Sequence, residues 1–232
     1  MINNLSRLLD LFMQVIKLPV ARLCFYSDLN PDGVRSAYKY HTKRHPRYKV
    51  FQNKALGAAL VDLTNFGTRE EYINSINGGS KQGAGLAKKA KSRGYVFVEI
   101  DRNDFIDDIH EIHTSTETRQ GRPMDASYLE KQCYYEPVKN FKYYGILNSK
   151  GKLMAYCSVE FYGNFAAFGR VIGHRNNDGI MHLLVTEIIG MIIDDGTLKY
   201  IMYDTYFGAK PGLKLFKTFL GFKPYRVKYS IQ

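Results

Sequence analysis

The chain predicts a mixed α/β fold, a sheet carrying helices on both faces. Two aromatic and β-branched runs, 141–148 and 152–162, are separated by Ser149-Lys150-Gly151, the pattern of a β-hairpin. A third strand-like run, 165–174, follows the short Gly163-Asn164 turn. Beyond it come a polar loop, an apolar helix and another strand, a crossover that favours parallel pairing with an earlier strand.

In chain order, residues 3–18 read as an amphipathic helix with Leu5, Leu8, Leu9, Phe12, Val15 and Ile16 on one face. Packing against the domain is the plain role for such a helix, and anchoring at a membrane surface the other. Residues 21–27 then read as a strand, 31–44 as helical or irregular and 56–63 as a strand. Helices are expected over 68–76 and 84–93, a strand over 95–100 and a helix over 103–116. The stretch 77–85 is glycine-rich, fitting a phosphate loop, a lid or a linker, and lacks the P-loop pattern. Leu183, Leu184, Ile188, Met191 and Ile192 recur at helical spacing over 180–193, with Asp178 placed to cap that helix and Asp194-Asp195-Gly196 to close it. Residues 199–205 return as a strand.

A helix that starts near Gly179 presents unpaired backbone N–H groups and the positive end of its dipole, which suits a pyrophosphate. His174 and Arg175 add switchable or fixed positive charge beside it. This makes Asn176, Asn177, Asp178 and Gly179 the expected phosphate loop.

Three groups of residues carry a family resemblance. Gly212-Leu213-Lys214-Leu215-Phe216-Lys217 with Leu220-Gly221-Phe222 resembles the terminal helix and strand of Fem-type proteins. Tyr72 to Ile76, Ser80-Lys81-Gln82, the basic run 86–93 and Gly94 to Val98 look like the segment that precedes a strand in that group. Asp108 to Ser115 with Arg119-Gln120-Gly121-Arg122-Pro123-Met124 resembles a helix and loop of it. On these residues the chain is similar to the GNAT-fold N-acyltransferases, in particular the Fem-type (FemAB/FemX-like) aminoacyl and peptidyl transferase branch.

The resemblance implies a GNAT-type mixed, mostly antiparallel sheet flanked by helices on both faces. It also implies an acyl or aminoacyl group moved from an activated donor, acetyl-CoA, another acyl-CoA or aminoacyl-tRNA, to an amine-bearing acceptor. Val171, Ile172 and Gly173 would pair with a pantetheine arm, and His174 to Gly179 with Phe216 would hold the donor. Ordinary GNAT enzymes have an Arg/Gln-x-x-Gly-x-Gly/Ala loop, where this chain has Arg175-Asn-Asn-Asp178-Gly179-Ile180. They also place a tyrosine acid where Lys217 stands, and the Fem-type branch has lysine there. Fem-type enzymes usually hold two such domains. The expected division here is an amino-terminal helix and strands over 1–66, packed on one GNAT-like domain over 67–232.

Composition bounds these readings. At 232 residues and 45% hydrophobic content the chain can bury one large core or two modest ones. No apolar run approaches the length of a membrane span, and no signal peptide is evident. Cys24, Cys133 and Cys157 are widely spaced and odd in number, which fits a reducing, cytoplasmic setting and neither a disulfide framework nor a metal site. Cys157 alternates with apolar neighbours and reads as core. The net charge of +11 gathers in three runs, 35–54, 81–93 and 210–228. Such surfaces attract polyanions, tRNA and DNA among them, or simply keep a protein soluble.

Attack of an amine on an activated carbonyl needs a base, stabilisation of an oxyanion and a proton for the leaving group. Lys217 is the expected cation, unless it is an ordinary surface lysine. Glu160, on the same strand face as Ser158 and Tyr162, is one candidate base or else a solvated carboxylate. Asp204 and Tyr206, at the end of the next strand, are the alternatives. Arg119 and Arg122 suit capture of an acceptor carboxylate or phosphate, or bracing of their loop. His110 and His113 are half of a metal site at most, and otherwise a pair of exposed or capping histidines. Beside the transferase stands a second class: a nucleic-acid-directed protein, either an enzyme modifying a base amine or a binding module without catalysis.

Overall fold

The computed structural model describes residues 15–46, 49, 51–78, 82–119 and 122–232. The expected amino-terminal helix lies mostly outside these residues, as does the middle of the glycine-rich stretch, 79–81. Among the described residues no helix is long and apolar enough to cross a membrane.

Among the described residues eight strands form one sheet: β1 (Val20–Phe25), β2 (Leu56–Asp62), β3 (Val96–Glu99), β6 (Phe141–Leu147), β7 (Leu153–Phe161), β8 (Phe165–Gly173), β9 (Tyr200–Thr205) and β10 (Lys223–Ile231). A separate two-residue ribbon joins β4 (Thr118–Arg119) to β5 (Arg122–Pro123). The order across the sheet is β1-β10-β2-β9-β8-β7-β6-β3. Only β1 with β10 and β8 with β9 run parallel; the other pairs are antiparallel. Strand β2 lies between β9 and β10, so the amino-terminal strands are woven into the sheet.

Helices cover both faces, as the sequence predicts. On one face α2 (Arg69–Ser75), α3 (Gly83–Ser92) and α6 (Ile180–Asp195) pack on Ala59, Val61, Ala155, Cys157, Val159 and Ala166. Alternation sends Ala58, Leu60, Phe165, Ala167 and Met202 to the opposite face, where Val34 of α1 (Pro31–Thr42) meets them. Farther along that face, Ile109 and Ile112 of α4 (Ile106–Thr114) pack on Tyr156 and Ile172. The short α5 (Ala126–Leu129) and the terminal helix α7 (Pro211–Phe219) complete the fold.

Local chemistry explains the boundaries. Pro31 opens α1, and the Asn30 side chain caps it by accepting from Gly33 N at 3.1 Å. Gly196, at φ 67°, closes α6 by donating to the carbonyls of Ile192 and Ile193. Cys157 is fully buried, as its apolar neighbours predict.

The feature that positions a site is a fork. Strands β8 and β9 pair only from Phe165 opposite Tyr200 to Ala167 opposite Met202. Beyond that both continue, β8 to Gly173 and β9 to Thr205, without pairing to each other. Their separation opens the sheet at its centre, beside the start of α6.

Candidate active site

The start of α6 is set by backbone geometry. Gly179 is the N-cap residue, at φ 87°, and a Cβ there would stand 2.2 Å from the Leu86 carbonyl oxygen. Only glycine fits that conformation and that contact with α3. The expected cap is corrected here: Asp178 makes no capping bond, because its carboxylate accepts from the Tyr95 hydroxyl at 2.8 Å and pairs with Arg93. The N–H groups of Ile180, Met181 and His182 belong to the first turn and have no carbonyl of their own helix to meet.

These residues border a cavity of about 540 Å³ lined by Val171, Asn176, Asn177, Gly179, His182 and Phe216, among others. His182 lies edge-on to Phe216, with ring centroids 4.8 Å apart. Its Nε2 is buried without a hydrogen-bond partner among the described residues, and burial lowers its pKa to about 4. The ring is therefore neutral at pH 7. A second cavity of about 570 Å³ takes Ile172, Gly173, His174 and Arg175, together with Ile112, Thr118 and Met124. Val171, Asn176 and Asn177 border both, so the expected donor set is divided between two adjoining hollows. Arg175 donates to the Thr118 carbonyl at 2.8 Å, tying the loop to β4.

A third cavity, of about 630 Å³, occupies the fork. It brings together Glu160 of β7, Gly169 of β8, Tyr203 and Asp204 of β9, His41 of α1 and Lys217 of α7. Tyr203 and Leu213 border this cavity and the one at the start of α6, so the two are neighbours.

Lys217 is no surface lysine: only 1% of it is exposed. Its Nζ donates to the Thr205 carbonyl at 2.8 Å and lies 4.7 Å from the Tyr203 ring centroid. Burial pulls its pKa down to about 8, opposed by the charge of Asp204 and aided by that of Lys54. Glu160 is half-buried and hydrogen-bonded to the Tyr162 hydroxyl. Burial raises its pKa, and the Tyr162 bond works against that rise. A Cβ on Gly169 would lie 2.2 Å from Glu160 Oε1, so the glycine makes the seat for this carboxylate.

The alternatives to Glu160 are placed differently. Asp204 pairs with Lys54, is 55% exposed at its side chain and holds φ 52°, a left-handed conformation uncommon outside glycine. Tyr206 is hydrogen-bonded to Thr218 at 2.7 Å and does not border the fork cavity. Arg119 and Arg122 are opposite each other in the backbone register of the β4–β5 ribbon. His113 is corrected from an exposed or capping residue to a buried one, 2.6 Å from the Tyr156 hydroxyl.

His41 enters the site without having been singled out as more than a member of a basic run. Its Nδ1 lies 2.8 Å from the Ala37 carbonyl, which can only accept, so Nδ1 carries the proton and Nε2 keeps its lone pair. Burial lowers its pKa, leaving it neutral. No local signal could mark it, because α1 meets the fork only in the folded chain. The second basic run is also put to structural use: Lys89 donates to the Asn177 carbonyl at 2.6 Å, Lys91 pairs with Glu187 and Arg93 with Asp178.

No protein-family model and no curated protein matches this sequence. Solved structures do resemble it. The crystal structure of FemX superposes with a TM-score of 0.56 at 11% identity, over 73% of this chain and 59% of that one. L-PGS from Bacillus licheniformis gives 0.48 at 13% identity, over 72% and 57%. A tandem GNAT protein from the clavulanic acid biosynthesis pathway gives 0.46 at 15% identity, over 73% and 50%. This chain thus spans well under two thirds of each of these structures. The mixed sheet, the fork and the likeness to FemX together establish a GNAT-type fold.

Proposed function

We propose that the protein is an acyltransferase that moves an acyl or aminoacyl group from an activated donor to an amine, with the fork as its reaction chamber. The observation that carries this reading is the convergence of Glu160 and Lys217 on one cavity that adjoins the cavity at the start of α6. The likeness in fold to FemX supports it by analogy.

In this reading the donor's phosphates lie against the free N–H groups at the start of α6, and its acyl end reaches the fork between β8 and β9. Glu160, whose carboxylate is made more basic by burial, takes the proton from the acceptor's ammonium group. The freed amine attacks the acyl carbon: a C–N bond forms, and the electron pair of the C=O bond moves onto oxygen. Collapse restores the C=O bond and breaks the bond to the leaving sulfur or oxygen, which takes the proton that the newly bonded nitrogen sheds. Lys217, with a pKa of about 8, is mostly protonated at pH 7 and faces this chamber. Its charge suits the oxyanion and the departing group.

The test is thermal denaturation of the whole chain with acetyl-CoA, longer acyl-CoAs, aminoacyl-tRNA and duplex DNA at two salt concentrations, followed by transfer assays with the donor that binds. Stabilisation by an acyl-CoA or an aminoacyl-tRNA, with product formed on an amine and lost in Lys217→Met, supports the proposal. Stabilisation by nucleic acid alone, equal for charged and uncharged tRNA and without transfer, would move the protein to the binding-module class.

A further inference from the structure

Strand β8 carries an extra residue. Val159 pairs with Phe168 and Cys157 with Val171, so Gly169 and Arg170 together stand opposite Ser158. The bulge is held by Arg170 N donating to Ser158 Oγ at 2.8 Å. Simple alternation would send Arg170 to the α6 face, with Phe168. The bulge turns it to the other face, and the half-buried guanidinium there lies 4.5 Å from the Tyr128 ring centroid, with the Tyr156 and Tyr128 hydroxyls as acceptors.

A second guanidinium stands nearby. Arg102 lies 3.9 Å from the Tyr143 ring centroid and 4.4 Å from that of Tyr135, and donates to the Glu136 carbonyl at 3.0 Å. The Tyr143 and Tyr135 phenols lie within electrostatic reach of both arginines, and Tyr143 within that of Glu160 as well. Among the described residues neither arginine is in an ion pair. Glu160 accepts its hydrogen bond from the Tyr162 hydroxyl and leaves Arg170 without a carboxylate.

Two guanidinium groups that meet tyrosine rings, hydroxyls and a carbonyl, yet no anion, are a poor arrangement for stability alone. A half-buried cation is satisfied best by a carboxylate or a phosphate, which guanidinium geometry matches with two parallel hydrogen bonds. Tyr128 and Tyr135 come from the long connection 124–140, whose only regular element is α5. Connections of that length in a compact fold commonly serve binding.

We infer that Arg170, with Arg102, forms an anion-recognition subsite beside Glu160, so that the amine acceptor bears a carboxylate or a phosphate. The inference deepens the proposed function by naming the acceptor's class, and it rests on Glu160 marking the acceptor side. The amine meets Glu160 while the anionic group is held one side chain away, beyond Gly169. The same subsite would reject acceptors that lack an anionic group, because an unpaired guanidinium would then remain.

Ligand-observed NMR on the full chain tests it with two matched pairs, L-lysine against cadaverine and phosphoethanolamine against ethanolamine. At least one anionic member should bind more tightly than its partner, and the pair that discriminates separates carboxylate from phosphate. Arg170→Gln should weaken that binding by about 10- to 100-fold, and Arg170→Lys should retain part of it. Arg102→Gln should weaken it less, and this variant carries the comparison if Arg170→Gln does not give a wild-type circular dichroism spectrum. A merely structural role for Arg170 would lower stability without changing the discrimination within a pair. Equal binding within both pairs, or wild-type affinity in the arginine variants, overturns the inference. Anion binding that depends on Arg170 but is followed by no transfer to any amine would leave the subsite standing and sink the transferase reading.

Discussion

At the scale of single residues, Lys217 is the most informative, because burial makes its charge a cost to folding and a resource for chemistry. Its folded pKa of about 8 lies below the ordinary lysine value of 10.5. The unfolded chain therefore binds more protons between those values, and stability must rise with pH across that window. Below about pH 8 the full penalty is present, on the order of 3 kcal/mol from the pKa difference. Lys217→Met removes it, so the variant should be more stable than wild type at pH 7 and the gap should close toward pH 10.5. Melting temperatures of the two proteins at several pH values check this, and a pH-independent gap would refute the assignment. In the transfer assay the same variant should lose about 10²- to 10³-fold in kcat. Glu160→Gln should cost about 10²- to 10⁴-fold, as loss of a general base does. It should also raise stability at neutral pH relative to pH 4, because a carboxyl whose pKa is raised by folding destabilises the fold once it ionises.

Elements carry their own predictions at the two places where backbone geometry makes the site. Gly179→Ala places a Cβ against a backbone carbonyl of α3 at a φ that disfavours alanine. The two elements have to separate, at about 3 kcal/mol, and the donor cavity loses its shape. The melting temperature should fall by roughly 6–12 °C. Stabilisation by the donor should fall with it, which a titration of melting temperature against donor concentration measures. In Gly169→Ala the new methyl group meets Glu160 Oε1 and Ser158 Oγ. Transfer should drop more than stability does, since the displaced atoms belong to side chains of the site; equal wild-type kcat would show that Glu160 is not held where the reaction needs it.

At the scale of the whole molecule, β1 and β10 form one edge of the sheet. Among the described residues the one strand paired with β1 is β10; beyond the ladder Ser27 N donates to the Gln232 carbonyl, Gln232 N donates to the Phe25 carbonyl, and Cys24 of β1 is tied to Asn164. Strand β10 also separates β1 from β2. Removing residues 223–232 therefore leaves β1 without a strand partner, frees one edge of β2 and bares the core around Leu23, Phe25 and Leu60. The truncated chain should lose its cooperative thermal transition by circular dichroism; a preserved transition would mean that the sheet from β2 onward is stable without its parallel edge.

Local pattern in the sequence determined seven strands of the main sheet, the hairpin, the apolar helix α6 and the crossover order, because side-chain periodicity and turn residues act within a few positions of one another; the last strand, β10, was suggested only by the family resemblance. Tyr162, two residues beyond Glu160 on the same strand face, was legible for the same reason. The charge of Lys217 was legible, but not its burial, since that depends on Tyr203 and Thr205 meeting α7 in space. Asp178 resembled a cap because its position fits one, and Tyr95 and Arg93 claimed it from another part of the chain. His41, Glu160 and Lys217 come from α1, β7 and α7, and only the sheet order brings them to one cavity. The direction of Arg170 was hidden more deeply, since one extra residue in β8 reverses the face that alternation assigns to it. Sequence determined which elements form, through interactions that are local. Tertiary structure decided which side chains meet, because strand pairing, the fork and the bulge depend on contacts between residues far apart in the chain.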